Sequence, residues 1–129
     1  MSPGLKKYIM SFLKDKGISS NNIHFHTLRG HGSNRVFIRI IPYETGPCFI
    51  AMCNFPTNDV SKRENIAYVM IGNHLFRKGI PVPEIYRFDL EHGWFIMEDM
   101  GNISLQEQVK SGENDNKIPG NLTNFVYII

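Results

Sequence analysis

The sequence predicts an α+β fold: a five-stranded antiparallel sheet with one helix inserted after the third strand and an extra helix at the N-terminus. Three observations predict it. Apolar residues near the start recur at helical spacing. Three short runs rich in β-branched and aromatic residues follow, separated by glycine- and proline-bearing turns. One long helical segment then stands between the third run and two more. At 129 residues, 42% of them apolar and 20% charged, the chain can bury one core and has a globular rather than a disordered composition.

Leu5, Tyr8, Ile9, Phe12 and Leu13 form the stripe of an amphipathic helix, with Ser2 as N-cap, Pro3 at the first helical position and Gly17 just past the end. Ile23 to Leu28 and Arg35 to Ile41 are two strands joined by the loop Gly30-His31-Gly32-Ser33-Asn34, a hairpin. Pro42 and Thr45-Gly46-Pro47 turn the chain into a third strand, Cys48 to Asn54. A helix follows from about Ser61 to Lys78, with Gly79 as its C-terminal cap and Pro81 and Pro83 barring continuation. Glu84 to Asp89 and Trp94 to Glu98 are strands around the turn Glu91-His92-Gly93. Ser104-Leu105-Gln106-Glu107 has the form of a capping box and is expected to open a short helix. Residues 1–112 thus read as one lobe, and residues 113–129 as a polar loop with an apolar tail from Phe125 to Ile129.

Composition removes several classes of function. Fourteen basic and 12 acidic side chains alternate without a positive stripe, which disfavours a nucleic-acid surface. Cys48 and Cys53, five residues apart on one strand, point to opposite faces and lack the spacing of a redox or zinc pair. No apolar segment is long enough for a signal core or a membrane span, so a cytoplasmic protein without membrane contact is expected. His24 and His26 share a strand face without a third ligand, and His31, His74 and His92 are scattered, so no metal site is expected.

Four local patterns carry a resemblance over residues 23 to 110. Gly32-Ser33-Asn34-Arg35-Val36-Phe37 resembles the glycine loop and second strand of choline kinase and aminoglycoside phosphotransferase relatives. Cys53-Asn54-Phe55-Pro56 resembles the end of their third strand. Phe76 to Ile85 is similar to their helix exit, and Phe95-Ile96-Met97-Glu98-Asp99-Met100-Gly101 resembles their hinge. The chain therefore resembles the N-terminal, nucleotide-binding lobe of a protein-kinase-like small-molecule phosphotransferase, with amino-sugar kinases of the N-acetylmuramate type nearest in look.

The resemblance implies ATP or GTP as ligand, with magnesium in a complete enzyme and nothing tightly held by this lobe. It implies a nucleotide site made from Gly30, Gly32, Ser33, Asn34, Arg35, Phe37, Ala51, Met52, Glu64, Met97, Glu98 and Met100. Glycines at a hairpin turn let backbone N–H groups approach phosphate oxygens, although the same residues also suit a turn that binds nothing. Phe37, Ala51 and Met97 would line the adenine, and the Glu98 carbonyl and Met100 N–H would meet its edge. Met52 stands where the family usually carries a lysine that reaches the phosphates and pairs with a helix glutamate. A cation must then come from elsewhere, and Arg35 and Arg39 are the candidates. Glu64 is the matching glutamate. Ser61-Lys62-Arg63-Glu64 is also a capping box, and with no lysine opposite, capping is the expected role.

Nothing after Lys110 matches the H-x-D-x-x-x-x-N loop that positions an acceptor hydroxyl and holds magnesium. The expectation is a lobe that transfers no phosphate by itself, acting on a small hydroxyl-bearing molecule only with a further lobe. The alternative is a catalytically dead interaction module of the same fold. The partner would be the missing lobe or a second copy, meeting apolar surface around Met97 to Leu105 and Phe125 to Ile129.

Overall fold

The computed structural model describes residues 1–19, 21–28 and 35–101. Met1–Asp99 forms one compact unit; the second, Met100–Ile129, lies outside the described residues apart from Met100 and Gly101. The helix expected from Ser104 and the apolar tail therefore fall outside them.

The first unit contains two helices and a five-stranded sheet: α1 (Pro3–Asp15), β1 (His24–Leu28), β2 (Val36–Ile41), β3 (Phe49–Cys53), α2 (Asp59–Arg77), β4 (Ile85–Asp89) and β5 (Trp94–Glu98). The spatial order is β1-β2-β3-β5-β4, with every neighbouring pair antiparallel. β2 and β3 are joined by a short turn, whereas α2 carries the chain from β3 over to β4 at the far edge. β5 then returns to the middle beside β3.

The N-terminal helix starts where its cap dictates: the Ser2 Oγ accepts a hydrogen bond from the Leu5 N–H at 3.2 Å, and Pro3 follows. Gly17 ends it at φ +75°, and the Ile18 N–H returns to the Leu13 carbonyl at 2.9 Å. α2 starts two residues earlier than the sequence suggested. Asn58 is the N-cap and Ser61 the third helical residue: the Ser61 N–H donates to Asn58 Oδ1 at 2.9 Å and the Asn58 N–H donates to Ser61 Oγ at 3.0 Å. A capping box exists, but Asn58 and Ser61 make it. Glu64 lies a turn further in and caps nothing, which corrects its expected role.

Strand alternation gives the sheet two faces. Ile38, Ile40, Phe49, Ala51 and Ile96 turn toward α1 and bury against Leu5, Ile9, Phe12 and Leu13. Phe12 meets Phe49 edge-on at 5.2 Å and stacks on Tyr86 at 6.0 Å. An Arg87–Asp15 ion pair at 2.6 Å joins the end of α1 to β4. Each of these aliphatic side chains contributes about 1.5–3 kcal/mol by leaving water, so α1 is held by its stripe.

α2 covers the other face. Its inner residues are Asn65, Tyr68, Val69 and Gly72. Tyr68 packs on Phe95 at 5.2 Å between ring centres, and Gly72 lets Ile85 approach so closely that a Cβ would stand 3.1 Å from the Ile85 Cδ1. β3 is covered on both faces, and Ala51 and Met52 are both fully buried.

The end of β3 is a junction. The Asn54 N–H donates to the Gly93 carbonyl at 2.8 Å, and the Asn65 side-chain amide donates to the Asn54 carbonyl at 2.9 Å. Asn54 Nδ2 donates in turn to Asn65 Oδ1 at 3.0 Å. Gly93 sits at φ +72°, and a Cβ there would come within 2.0 Å of the Asn54 carbonyl oxygen. Only glycine allows the β4–β5 turn to reach this backbone.

Candidate functional site

The α2 face of the sheet carries two arginine–carboxylate pairs, Arg35–Glu64 and Arg39–Asp99. Cross-strand register arranges it in rows. Phe37 stands opposite Met52, and Met52 opposite Phe95; Arg39 stands opposite Ile50, and Ile50 opposite Met97. Arg35, just before β2, adds a guanidinium on the same side as Phe37.

Two ion pairs frame these rows. Arg35 Nη2 lies 3.8 Å from Glu64 Oε2, joining the start of β2 to α2; the arginine side chain is 16% exposed and the glutamate 50%. Arg39 makes a two-pronged pair with Asp99, Nε donating to Oδ2 at 2.6 Å and Nη2 to Oδ1 at 3.1 Å. Both its members are largely buried, at 16% and 7%. Fork-to-fork geometry makes this the stronger of the two contacts.

Tyr68 reaches the same face, its hydroxyl donating to Met97 Sδ at 3.3 Å. Burial pushes the phenol well above its ordinary range, and the positive charge of Arg35 partly offsets that rise. The Arg35 charge is therefore felt at Tyr68 as well as at Glu64, which lie four residues apart on one helix face.

The structure brings together Arg35, Phe37, Met52, Glu64 and Met97 from the residues that the sequence assigned to a site. It separates Ala51, which faces α1 with Ile38 and Ile96 on either side. The residue that shares the face of Met52 is its neighbour in alternation, Ile50. Met97 is 3% exposed, its sulfur accepting from the Tyr68 hydroxyl of α2. Glu98 turns to β4: its N–H donates to the Glu84 carbonyl at 2.8 Å and its Oε1 accepts from the Glu84 N–H at 3.1 Å. Met100 is exposed. Gly30, Gly32, Ser33 and Asn34 lie outside the described residues.

Sequence reasoning missed Asp99 as the partner of Arg39, and the Asn54–Asn65 clasp. Asn65 gave a signal, since a side-chain amide on the inner face of an otherwise apolar helix requires a partner.

Two other features fall away from this face. A groove of about 440 Å³ lined by Pro56, Lys62, Ile66, Leu90 and Glu91 touches none of the residues assigned to the site. Asp89, Glu91 and His92 hold ligand atoms within 4.8 Å of one another. The Asp89 carboxylate there already closes the turn, accepting from the His92 N–H at 3.1 Å and meeting the ring Nδ1 at 3.0 Å.

Comparison with protein-family models, with curated proteins and with solved structures gives no match. Among the described residues no helix is long and apolar enough to cross a membrane.

Proposed function

We propose that this chain is the nucleotide-binding lobe of a protein-kinase-like phosphotransferase acting on a small hydroxyl-bearing molecule, and that the α2 face of the sheet receives the nucleotide. One observation carries the reading: a cation at the start of β2 and a glutamate inside α2 form an ion pair on the sheet face that also carries Phe37, over a floor of buried Ile50, Met52 and Met97. Phosphoryl transfer rests on positioning and on charge stabilisation, and a cation held by a helix carboxylate is the arrangement that such lobes use. The element order, with a helix between the third and fourth strands and the last strand returning beside the third, supports the same reading. Apolar side chains beside a charged pair suit a ligand that is flat and apolar at one end and anionic at the other.

A second reading, an interaction module that binds no nucleotide, is favoured by Met52. Full burial fills with an uncharged thioether the strand position from which a lysine would act.

Amide chemical shifts followed during titration of the full chain with magnesium ATP separate the two. The nucleotide-lobe reading expects weak, saturable shifts, with a Kd on the order of millimolar because apolar burial is offset by the cost of association. They should concentrate on Arg35, Phe37 and Glu64. No shift at ATP concentrations well above that value, or shifts confined to the α1 face, would favour the interaction module. The readout is binding and not turnover, because no residue of the chain is assigned to the acceptor or to magnesium.

A further inference from the structure

The nucleotide-lobe reading leaves one role unfilled, since Met52 cannot contact phosphate. We infer that Arg35 is the residue that grips the nucleotide's phosphates and that Glu64 is its positioning partner, so that the cation acts from the start of the second strand and not from the third; this rests on the function proposed above.

Position is the first argument. Phe37 is the cross-strand partner of Met52. A side chain two residues before Phe37 lies on the same sheet face and one step along it. The long arginine side chain spans that step: its guanidinium comes within 3.8 Å of Glu64 Oε2, on the helix that a strand-three lysine would face. Tyr68, next to Glu64 on α2, feels the same charge.

Chemistry is the second. A guanidinium keeps its charge at every accessible pH and offers a planar fork suited to phosphate oxygens. A buried Met52 with an arginine alongside therefore retains what the site requires, a permanent cation fixed by a carboxylate.

The third argument distinguishes Arg35 from Arg39, the other cation on this face. Arg39 is held by Asp99 through two hydrogen bonds of 2.6 and 3.1 Å, with the carboxylate only 7% exposed. Withdrawing it would strand a buried charge, which is costly. Arg35 meets Glu64 at 3.8 Å, beyond hydrogen-bond length, and Glu64 is half exposed. Arg39 is thus a fixed strut, and the Arg35–Glu64 pair is the longer and more exposed of the two.

The test compares ATP, adenosine and inorganic triphosphate, titrated calorimetrically into the folded full-length chain and into Arg35→Gln, Arg35→Lys and Glu64→Gln. Wild type should bind ATP more tightly than adenosine. Arg35→Gln should weaken ATP by about tenfold or more, the scale of a charge-assisted contact, while leaving adenosine unchanged. Arg35→Lys should retain part of the difference and keeps the test valid if the glutamine variant fails to fold. Glu64→Gln should weaken ATP by no more than about threefold, as an exposed partner does. Triphosphate should compete with ATP on wild type and not on Arg35→Gln. If wild type prefers ATP and both Arg35 variants keep that full preference, the inference is overturned while the nucleotide-lobe reading stands. If wild type binds neither ATP nor adenosine, both fall together.

Discussion

The two faces of this sheet are covered by one helix each, and the coverings differ in kind. On the α1 side, Leu5, Ile9, Phe12 and Leu13 meet Ile38, Ile40, Phe49, Ala51 and Ile96 in an apolar contact, with charges kept to its edge at Arg87 and Asp15. On the α2 side, a helix of similar role brings Glu64, Asn65 and Tyr68 toward a sheet face that bears Arg39. An all-apolar interface would be at least as stable as one containing buried ion pairs. The α1 side is therefore a support, and the α2 side is where stability has been exchanged for oriented charge. Sites of that kind are where ligands and catalysis are found.

The largest expected effect tests the support side. Phe12 is 2% exposed and touches Phe49 and Tyr86. Phe12→Ala leaves a cavity at the centre of the α1 interface and should cost about 3–5 kcal/mol in urea unfolding. At temperatures where the variant stays folded, its ATP-induced amide shifts should match those of wild type. Loss of the shifts from a folded Phe12→Ala would show that the two faces are not independent.

A smaller effect is expected where the faces meet. Asn65 is 1% exposed and exchanges two hydrogen bonds with Asn54, whose backbone also receives the Gly93 turn. Asn65→Leu keeps the volume and strands the Asn54 amide and carbonyl, a loss of about 1–3 kcal/mol by denaturant titration. Because residue 65 adjoins Glu64, the variant should also shift the Glu64 and Tyr68 amide resonances. A stability loss without any change at those two amides would make the clasp a local staple with no bearing on the charged face.

The α1 face was legible in the sequence because it is governed by period alone. The stripe from Leu5 to Leu13, the caps Ser2 and Gly17, and all five strands to within a residue at each end follow from helical and alternating patterns. The α2 face was legible only in part, because its contacts join residues distant in the chain. Arg39 and Asp99 are 60 residues apart, and Asn54 and Asn65 meet only once the β3–α2 loop has set its angle. The start of α2 was misjudged for a local reason: Ser61 and Glu64 have a capping-box spacing, but Asn58 three residues upstream made the better cap and turned Ser61 into its reciprocal partner. Ala51 was placed with Phe37 and Met97 by the resemblance, although strand alternation turns it to the opposite face from both.

The smallest expected effect concerns a polar device at the edge of the α1 side, and its value is as a contrast. Asp89 pairs with Trp94 across β4 and β5, and the His92 ring stacks on Trp94 at 4.3 Å. Partial burial alone would raise the Asp89 carboxyl. Hydrogen bonds from the His92 N–H and ring, the ring's charge and the Glu91 N–H outweigh it and hold the group below the ordinary carboxylate range. A carboxyl depressed in the folded state stabilises the fold at pH values above its unfolded pKa, and that contribution is lost as pH falls through the folded one. Asp89→Asn should therefore cost less than about 1 kcal/mol near neutral pH, since the turn is open to solvent. The gap between wild type and variant should close as the pH is lowered below the carboxylate range, followed to the lowest pH at which both remain folded. A gap that persists undiminished there would mean that Asp89 acts through turn geometry and not through its charge. The contrast with the α2 side would then lie in burial alone, because an exposed carboxylate on the support face would be as indifferent to its own ionisation as the apolar residues around it.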